Sequence, residues 1–233
     1  MSARRDEVAA RLEAVRRRIA AACDRAGRDP EEVTLTVVTK FFPASDVRLL
    51  AELGVRHVGE NRHQEAEAKA AECAGLGLTW HFIGGLQSNK AAAVASYADV
   101  VESVDRAKLV GGLQRGAHDR SHPLDCLLQV SLDPPGARGR SGADLEALDA
   151  VAAALDEAGM LRLRGLMAVA PLGGEPAAAY ARLADIRDAF LTTHPAATWL
   201  SAGMSSDLEA AVEAGATHVR LGTAVLGPRP AIK

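Results

Sequence analysis

Lys40 is the residue of this sequence whose type and place first suggest chemistry. It ends the β-rich run Thr34–Lys40, where strand alternation puts it on the same side as Thr36 and Val38. A lysine whose pKa is lowered by desolvation and by a neighbouring cation such as Arg220 can offer a neutral amine to an aldehyde. The simpler alternative is a lysine that packs its methylenes on the sheet and keeps its ammonium in water, and position alone favours that alternative.

A second group of residues is suited to hold a phosphate. After a short apolar run, Gly203 allows close approach of the backbone, and Ser201 and Ser205 supply hydroxyls. A helix is predicted from Ser206 to Ala214, and the first N–H groups of a helix carry partial positive charge. For this loop taken alone, the alternative is that Ser205 or Ser206 only caps the helix.

The last predicted strand adds an arginine and a second small-residue turn. Gly222, before Thr223, lets the backbone approach the same anion, and alternation puts Arg220 on the same face as His218. A guanidinium inside a parallel sheet rarely lacks a partner. A phosphate loop, a carbonyl-seeking lysine and an arginine at one place indicate a phosphorylated aldehyde cofactor. Pyridoxal 5′-phosphate (PLP) is the leading candidate.

These residues must be positioned by alternating strands and helices. Apolar residues at three- and four-residue spacing predict one long amphipathic helix from Ala3 to Gly27. Short β-rich runs then alternate with Ala/Leu-rich helical stretches. The runs are Leu35–Thr39, His57–Glu60, Trp80–Gly84, Val100–Val104, Cys126–Ser131, Leu163–Val169, Trp199–Ala202 and Val219–Gly222. Eight such units favour an α/β fold, a single (β/α)8 TIM barrel with an extra N-terminal helix, as one domain over residues 1–233.

The composition fits one sizeable core. The chain has 233 residues, of which 48% are hydrophobic and 24% charged, and a formal net charge of −3, so neither disorder nor nucleic-acid binding is indicated. Three widely spaced cysteines argue against disulfides and fit a reducing cytoplasm. The histidine spacing predicts no metal site, and no apolar run reaches the ~18 residues that a membrane span needs. The Pro/Gly-rich stretch 133–142 follows the fifth strand, so we expect it to be a mobile, functional loop of the barrel.

Distinct motifs follow the predicted strands along essentially the whole chain. They are Val38-Thr39-Lys40 with Pro43, Gly59-Glu60-Asn61-Arg62 with Gln64-Glu65, His81-Phe82-Ile83-Gly84 with Leu86-Gln87-Ser88-Asn89-Lys90, Arg164-Gly165-Leu166-Met167, the Leu200–Ser205 loop, and Val219-Arg220-Leu221-Gly222-Thr223 with Gly227. In this combination the sequence resembles the pyridoxal phosphate homeostasis proteins, single-domain relatives of the barrel domain of bacterial alanine racemase. Phe41 and Phe42 depart from the family pattern, which often has polar or basic residues there, so a secondary cofactor site using a lysine is in doubt.

The resemblance implies a role for each of several residues. Lys40 is expected to form a Schiff base with PLP, and Arg220 to face the pyridine nitrogen. An arginine there disfavours protonation of that nitrogen, so the ring becomes a weaker electron sink. The remaining expected contacts are Ser205, Gly222 and Thr223 on the phosphate, with help from Ser201 and Gly203, and Asn61 near the ring edge.

The resemblance also bears on catalysis. A racemase needs acid–base groups on both faces of its substrate, and alanine racemases take the second from a tyrosine in an additional domain. This sequence runs to Lys233 shortly after the eighth strand, and Tyr97 and Tyr180 fall in predicted helices. We therefore expect a cytoplasmic, monomeric carrier that stores PLP on Lys40 and delivers it to PLP-dependent acceptor enzymes, without robust catalysis. A PLP-dependent amino-acid racemase or related enzyme, and a barrel with an inert lysine, remain the alternatives.

Overall fold

Eight strands, β1 to β8 in chain order, pair in parallel and close into a barrel in the computed structural model, which describes residues 2–133 and 142–229. Each strand pairs with the next, and β8 returns to β1 with Thr36 opposite Arg220. The predicted (β/α)8 fold is confirmed, and each predicted run matches a strand to within two residues at either end. The strands are β1 Thr34–Val38, β2 His57–Glu60, β3 Thr79–Phe82, β4 Val100–Val104, β5 Leu124–Gln129, β6 Leu161–Met167, β7 Trp199–Ser201 and β8 His218–Leu221.

Helices surround the barrel. They are α1 Ser2–Ala26, α2 Ala44–Glu52, α3 His63–Glu72, α4 Ala91–Tyr97, α5 Val110–Gly116, α6 Leu145–Asp156, α7 Pro176–Thr193, α8 Leu208–Glu213 and α9 Thr223–Leu226. The short α9 was not predicted from the sequence, and α8 begins two residues later than predicted. Most of the predicted loop 133–142 falls on residues 134–141, which lie outside the described residues. No helix in the described part of the chain is long and apolar enough to cross a membrane.

The extra helix α1 supports the end of the chain that carries the phosphate-loop candidates. Its apolar stripe, which includes Val8 and Leu12, is buried in one cluster with the outward-facing side chains of β8. Arg18 of α1 pairs with Glu209 of α8 at 2.7 Å and donates to the carbonyl of Ser205 at 3.0 Å. Helix α1 thereby holds α8 and the loop before it in place.

The barrel interior is unusually polar. Interiors of such barrels are commonly filled by layers of branched apolar side chains. Here a small apolar layer of Val100, Leu127 and Met167 lies inside the barrel. Buried polar residues share that interior: Thr36, His81, Glu102, Ser201, His218 and Arg220. Since buried charges need partners, this interior points to a site built around Arg220 and Glu102.

Candidate functional site

A cavity opens at the end of the barrel where the strands terminate. Its volume is about 390 Å³, within the ~300–1,000 Å³ typical of small-molecule sites. Binding sites in this fold lie at that end, on the loops after the strands. The cavity brings together β1, the loop after β7 and the turn after β8. Its lining residues are Val38, Lys40, Phe42, Ile83, Met204, Ser205, Ser206, Arg220, Gly222, Thr223 and Arg229.

Lys40 lies in this cavity as a partly buried residue. Desolvation lowers the pKa of its amine, and the positive charges of Arg229 and Arg62 lower that pKa further. The predicted direction and main cause of the shift agree with the structure. The predicted neighbouring cation, Arg220, was wrong, because the cations that lower the pKa of the amine are Arg229 and Arg62.

Phe41 explains why those two cations lie beside Lys40. The guanidinium carbons of Arg62 and Arg229 lie 5.1 Å and 5.0 Å from the centre of its ring, within cation–π range. From the sequence, Phe41 was only a departure from the family pattern. In the fold its ring gathers two guanidinium groups at the mouth of the cavity.

Arg220 is buried, with 4% of its surface exposed, and its guanidinium is fully engaged on one side. It donates to the carbonyl of Ala168 at 2.8 Å and to the hydroxyl of Ser201 at 2.6 Å. That hydroxyl donates in turn to Glu102, whose Oε2 is 3.7 Å from the guanidinium. Ser201, predicted to help with a phosphate, does not line the cavity and instead links Arg220 to Glu102.

Glu102 continues this polar chain through the barrel. Its other oxygen lies 2.7 Å from Nδ1 of His81, and Nε2 of His81 lies 2.9 Å from Nδ1 of His57. Burial alone would raise the pKa of Glu102, but the hydrogen bond from His81 and the charge of Arg220 bring it down to about 2. Burial lowers the pKa of His57 to about 4 and that of His218 to about 3. Glu102 is therefore ionised, and these two histidines are neutral at neutral pH.

The sequence placed His81 in the third predicted strand, but Glu102 was missed. The signal was a single carboxylate in the middle of the apolar run Val100–Val104. A strand buried on both faces does not carry an acid without a partner. That rule could have suggested Arg220, a charged residue within another predicted strand, as the partner of Glu102.

The phosphate-loop candidates divide into two groups. Ser205, Gly222 and Thr223 line the cavity, as predicted. Gly203 does not, but it is needed where the loop turns back over α8. Its φ of +92° lies in the left-handed region, and a Cβ there would come within 2.7 Å of Cβ of Ala211. The carbonyl of Gly203 accepts a hydrogen bond from the Arg220 N–H at 3.0 Å.

Asp207 holds the loop that presents Met204, Ser205 and Ser206 to the cavity. Its Oδ1 accepts a hydrogen bond from the Met204 N–H at 2.6 Å, and its Oδ2 accepts one from the Tyr180 hydroxyl at 3.1 Å. Neither serine caps α8, because residue 207 is its N-cap. The sequence placed Tyr180 in a predicted helix, which the structure shows as α7. It does not line the cavity, but it supports the loop that does.

Two other candidates lie next to the cavity. Asn61 follows β2 at the same end of the barrel and is absent from the cavity lining, with its backbone packed against Gly84. The carboxylate of Glu60 pairs with Lys69 of α3 at 2.7 Å. Within residues 2–133 and 142–229, no cluster of His, Cys, Asp or Glu side chains could hold a metal ion.

Comparison with known proteins agrees with this geometry. Residues 10–230 match the family described as alanine racemase, N-terminal domain. A pyridoxal phosphate homeostasis protein of Mycobacterium bovis is 44% identical over 97% of this chain and 94% of its own length. The chain belongs to the pyridoxal phosphate homeostasis protein family. The Escherichia coli member of this family is 40% identical over 96% of this chain and 97% of its own length.

Solved structures share the fold of this chain. The PipY protein of Synechococcus elongatus, solved with PLP bound, is 37% identical to this chain. The match has a TM-score of 0.82 and covers 95% of this chain and all of PipY. Alanine racemase of Clostridium difficile is 13% identical over 97% of this chain and 60% of its own, with a TM-score of 0.71. That second likeness concerns the fold alone.

Proposed function

We propose that this protein binds PLP at Lys40 and acts in intracellular PLP homeostasis, storing and delivering the cofactor without robust catalysis. The observation that carries the proposal is a partly buried lysine of lowered pKa in a cavity that also contains three hydroxyl-bearing residues and a buried arginine. The homeostasis proteins related at 40–44% identity and the PLP-bound PipY structure support it.

The donor set of the cavity fits this cofactor. PLP supplies an aldehyde that joins covalently to a neutral primary amine, and a ring whose electron-withdrawing power depends on the pyridine nitrogen. The lowered pKa of Lys40 makes its neutral amine more available. Ser205, Gly222 and Thr223 would bind the phosphate. The other proposed roles are Arg220 facing the pyridine nitrogen, Asn61 near the ring edge, and Ser201 and Gly203 supporting the site from behind.

The environment of Arg220 argues against chemistry that needs the cofactor ring as a strong electron sink, such as transamination. Glu102 and Ser201 hold the guanidinium in place, and the carboxylate of Glu102 compensates its buried positive charge. A fixed cation opposite the pyridine nitrogen disfavours its protonation, which weakens the ring as an electron sink.

We also propose that residues 1–233 form one domain that works in the cytoplasm as a monomer and passes PLP to acceptor enzymes.

A visible absorption spectrum tests the binding proposal. The purified protein incubated with PLP should show a band that disappears on borohydride reduction and is absent from Lys40→Ala. Lys108→Ala, at an exposed position away from the cavity, is the matched control and should keep the band. The same band in Lys40→Ala would contradict the proposal. Exchange of the α-proton of an amino acid with deuterium would favour the racemase alternative over a carrier.

A further inference from the structure

Lys40 lies in a tight turn whose conformation is costly for its sequence. The Phe42 N–H donates to the carbonyl of Thr39 at 3.0 Å, so Lys40 and Phe41 are the two central residues of a β-turn. Phe41 has a φ of +71°, the only positive φ at a non-glycine residue in the described ranges 2–133 and 142–229. A positive φ at the second central position is that of a type II turn, which favours glycine or asparagine. Something must hold a phenylalanine there.

A buried lysine of α3 contacts this turn from below. Lys69 has 6% of its surface exposed. Its ammonium donates to the carbonyl of Thr39 at 2.8 Å, to Glu60 at 2.7 Å and to Glu65 at 2.7 Å. These three hydrogen bonds use all three donors of the ammonium. One of them reaches the residue directly before Lys40.

The two carboxylates extend the contact to both sides of the turn. The Glu65 oxygen that binds Lys69 also accepts the Phe41 N–H at 2.6 Å. The Glu60 oxygen that binds Lys69 also accepts the Thr39 hydroxyl at 2.6 Å. Glu65 thus fixes the peptide group between Lys40 and Phe41, whose orientation distinguishes a type II turn from a type I turn.

The cluster of Lys69, Glu60 and Glu65 is a poor device for stability alone. A buried ion cluster is often no more stabilising than apolar side chains of the same volume, because desolvation offsets the attraction. Glu60 also keeps its second oxygen buried without a hydrogen-bond partner, and burial raises the pKa of this carboxyl. Beyond their mutual contacts, the hydrogen bonds of the cluster go to Thr39 and Phe41, the residues on either side of Lys40.

We propose that Lys69, together with Glu60 and Glu65, is a positioning residue that fixes the conformation of the Lys40 turn. The Lys40 amine then points into the cavity, towards the aldehyde of PLP. The inference rests on the function proposed above. None of these three residues lines the cavity, so the cluster sets the direction of the amine and leaves the phosphate contacts to other loops.

Two ligands separate this role from general damage to the site. The PLP aldehyde would condense with the neutral Lys40 amine and release one water, whereas pyridoxine 5′-phosphate has the same ring and phosphate with an alcohol in place of the aldehyde. In Lys69→Met, the rate at which the visible band forms after PLP is added to vitamin-free protein should fall about 10- to 100-fold, because misdirecting a reacting atom by about 1 Å costs that much. The affinity for pyridoxine 5′-phosphate, measured by calorimetry, should change less than about threefold.

Matched variants make the test specific. Glu65→Gln keeps the shape of the side chain, so it gives the answer if Lys69→Met does not fold, and it should slow attachment. Glu67→Gln, an exposed glutamate on the same helix, should not. Phe41→Asn should restore part of the rate in the Lys69→Met background, because asparagine accepts a positive φ.

Each outcome is informative. If PLP never becomes attached to the wild-type protein, both the proposed function and the positioning role are overturned. If the wild type attaches PLP and Lys69→Met and Glu65→Gln attach it as quickly, the function stands and the positioning role is overturned. An equal loss of pyridoxine 5′-phosphate affinity in these variants would also overturn it, because that result means a collapsed cavity.

Discussion

Glu102→Gln should destabilise the protein by about 3–5 kcal/mol, because it removes the counter-charge of an arginine that remains buried. Arg220 and Glu102 have side chains 4% and 1% exposed, and their closest charged atoms are 3.7 Å apart. With an effective dielectric constant of about 20, two unit charges at that separation attract by about 4 kcal/mol. Glutamine preserves the volume, so no cavity adds to the cost.

A double-mutant cycle isolates the attraction. Arg220→Met should cost about 3 kcal/mol alone, and the double variant should cost less than the sum of the two single variants by about 2 kcal/mol, within the range found for contacting residues. Urea unfolding of the vitamin-free protein is the assay, since bound ligand would add its own stabilisation. The exposed pair Arg25 and Glu213, 2.7 Å apart, is the control. Its cycle should give less than about 1 kcal/mol.

Additivity of the Glu102 and Arg220 variants to within about 0.5 kcal/mol would refute this account of the barrel interior. It would mean that Arg220 is held by the Ala168 carbonyl and the Ser201 hydroxyl alone. The charge of Glu102 would then be irrelevant to Arg220, and the argument for a fixed cation would lose its physical basis.

Three further predictions follow from single sites. Burial lowers the pKa of His218 to about 3, from 6.5 in the unfolded chain, so between these pH values the unfolded state binds a proton that the folded state does not. The free energy of unfolding should therefore fall by up to about 1.4 kcal/mol per pH unit from near pH 6.5 towards pH 3. His218→Gln should reduce that slope in urea unfolding. Gly203→Ala should cost about 3 kcal/mol in urea unfolding, whereas Gly75→Ala, with a φ of +83° and open space around it, should cost about 1–2 kcal/mol. Ser205→Ala and Thr223→Ala should each weaken pyridoxine 5′-phosphate binding about tenfold, by loss of a hydrogen bond to a charged group, and unchanged affinity by calorimetry would remove that residue from the proposed phosphate site.

The fold could be predicted from the sequence because its signals are local. Apolar runs of four to seven residues alternate with helical patterns, and their number favours closure of the barrel. Strand alternation also correctly put Lys40, Val38 and Arg220 around one cavity. The short α9 was missed because the four residues Thr223–Leu226 form too short a segment to show periodicity.

The partners of the site residues could not be predicted in the same way. Lys69 reaches Thr39 across 30 positions of the chain, and Ser201 reaches Glu102 across 99. Such contacts depend on strand register and on how each helix packs against the barrel. For that reason Ser201 was assigned to the phosphate.

The positive φ of Phe41 was also hidden from sequence reasoning. A bulky residue gives no local signal for that conformation. The turn becomes intelligible only when Glu65 and Lys69 are seen beneath it. Long-range contacts therefore carry the part of the site that the sequence did not reveal.

Mass mapping of the reduced adduct is the most direct test of whether Lys40 is the residue that binds PLP. The protein is incubated with PLP, reduced with borohydride and digested, and the peptide that carries the added pyridoxyl phosphate group is sequenced. We expect stoichiometric modification at Lys40 and none above background at Lys69 or Lys90. Modification spread over surface lysines, with Lys40 unmodified, would contradict it.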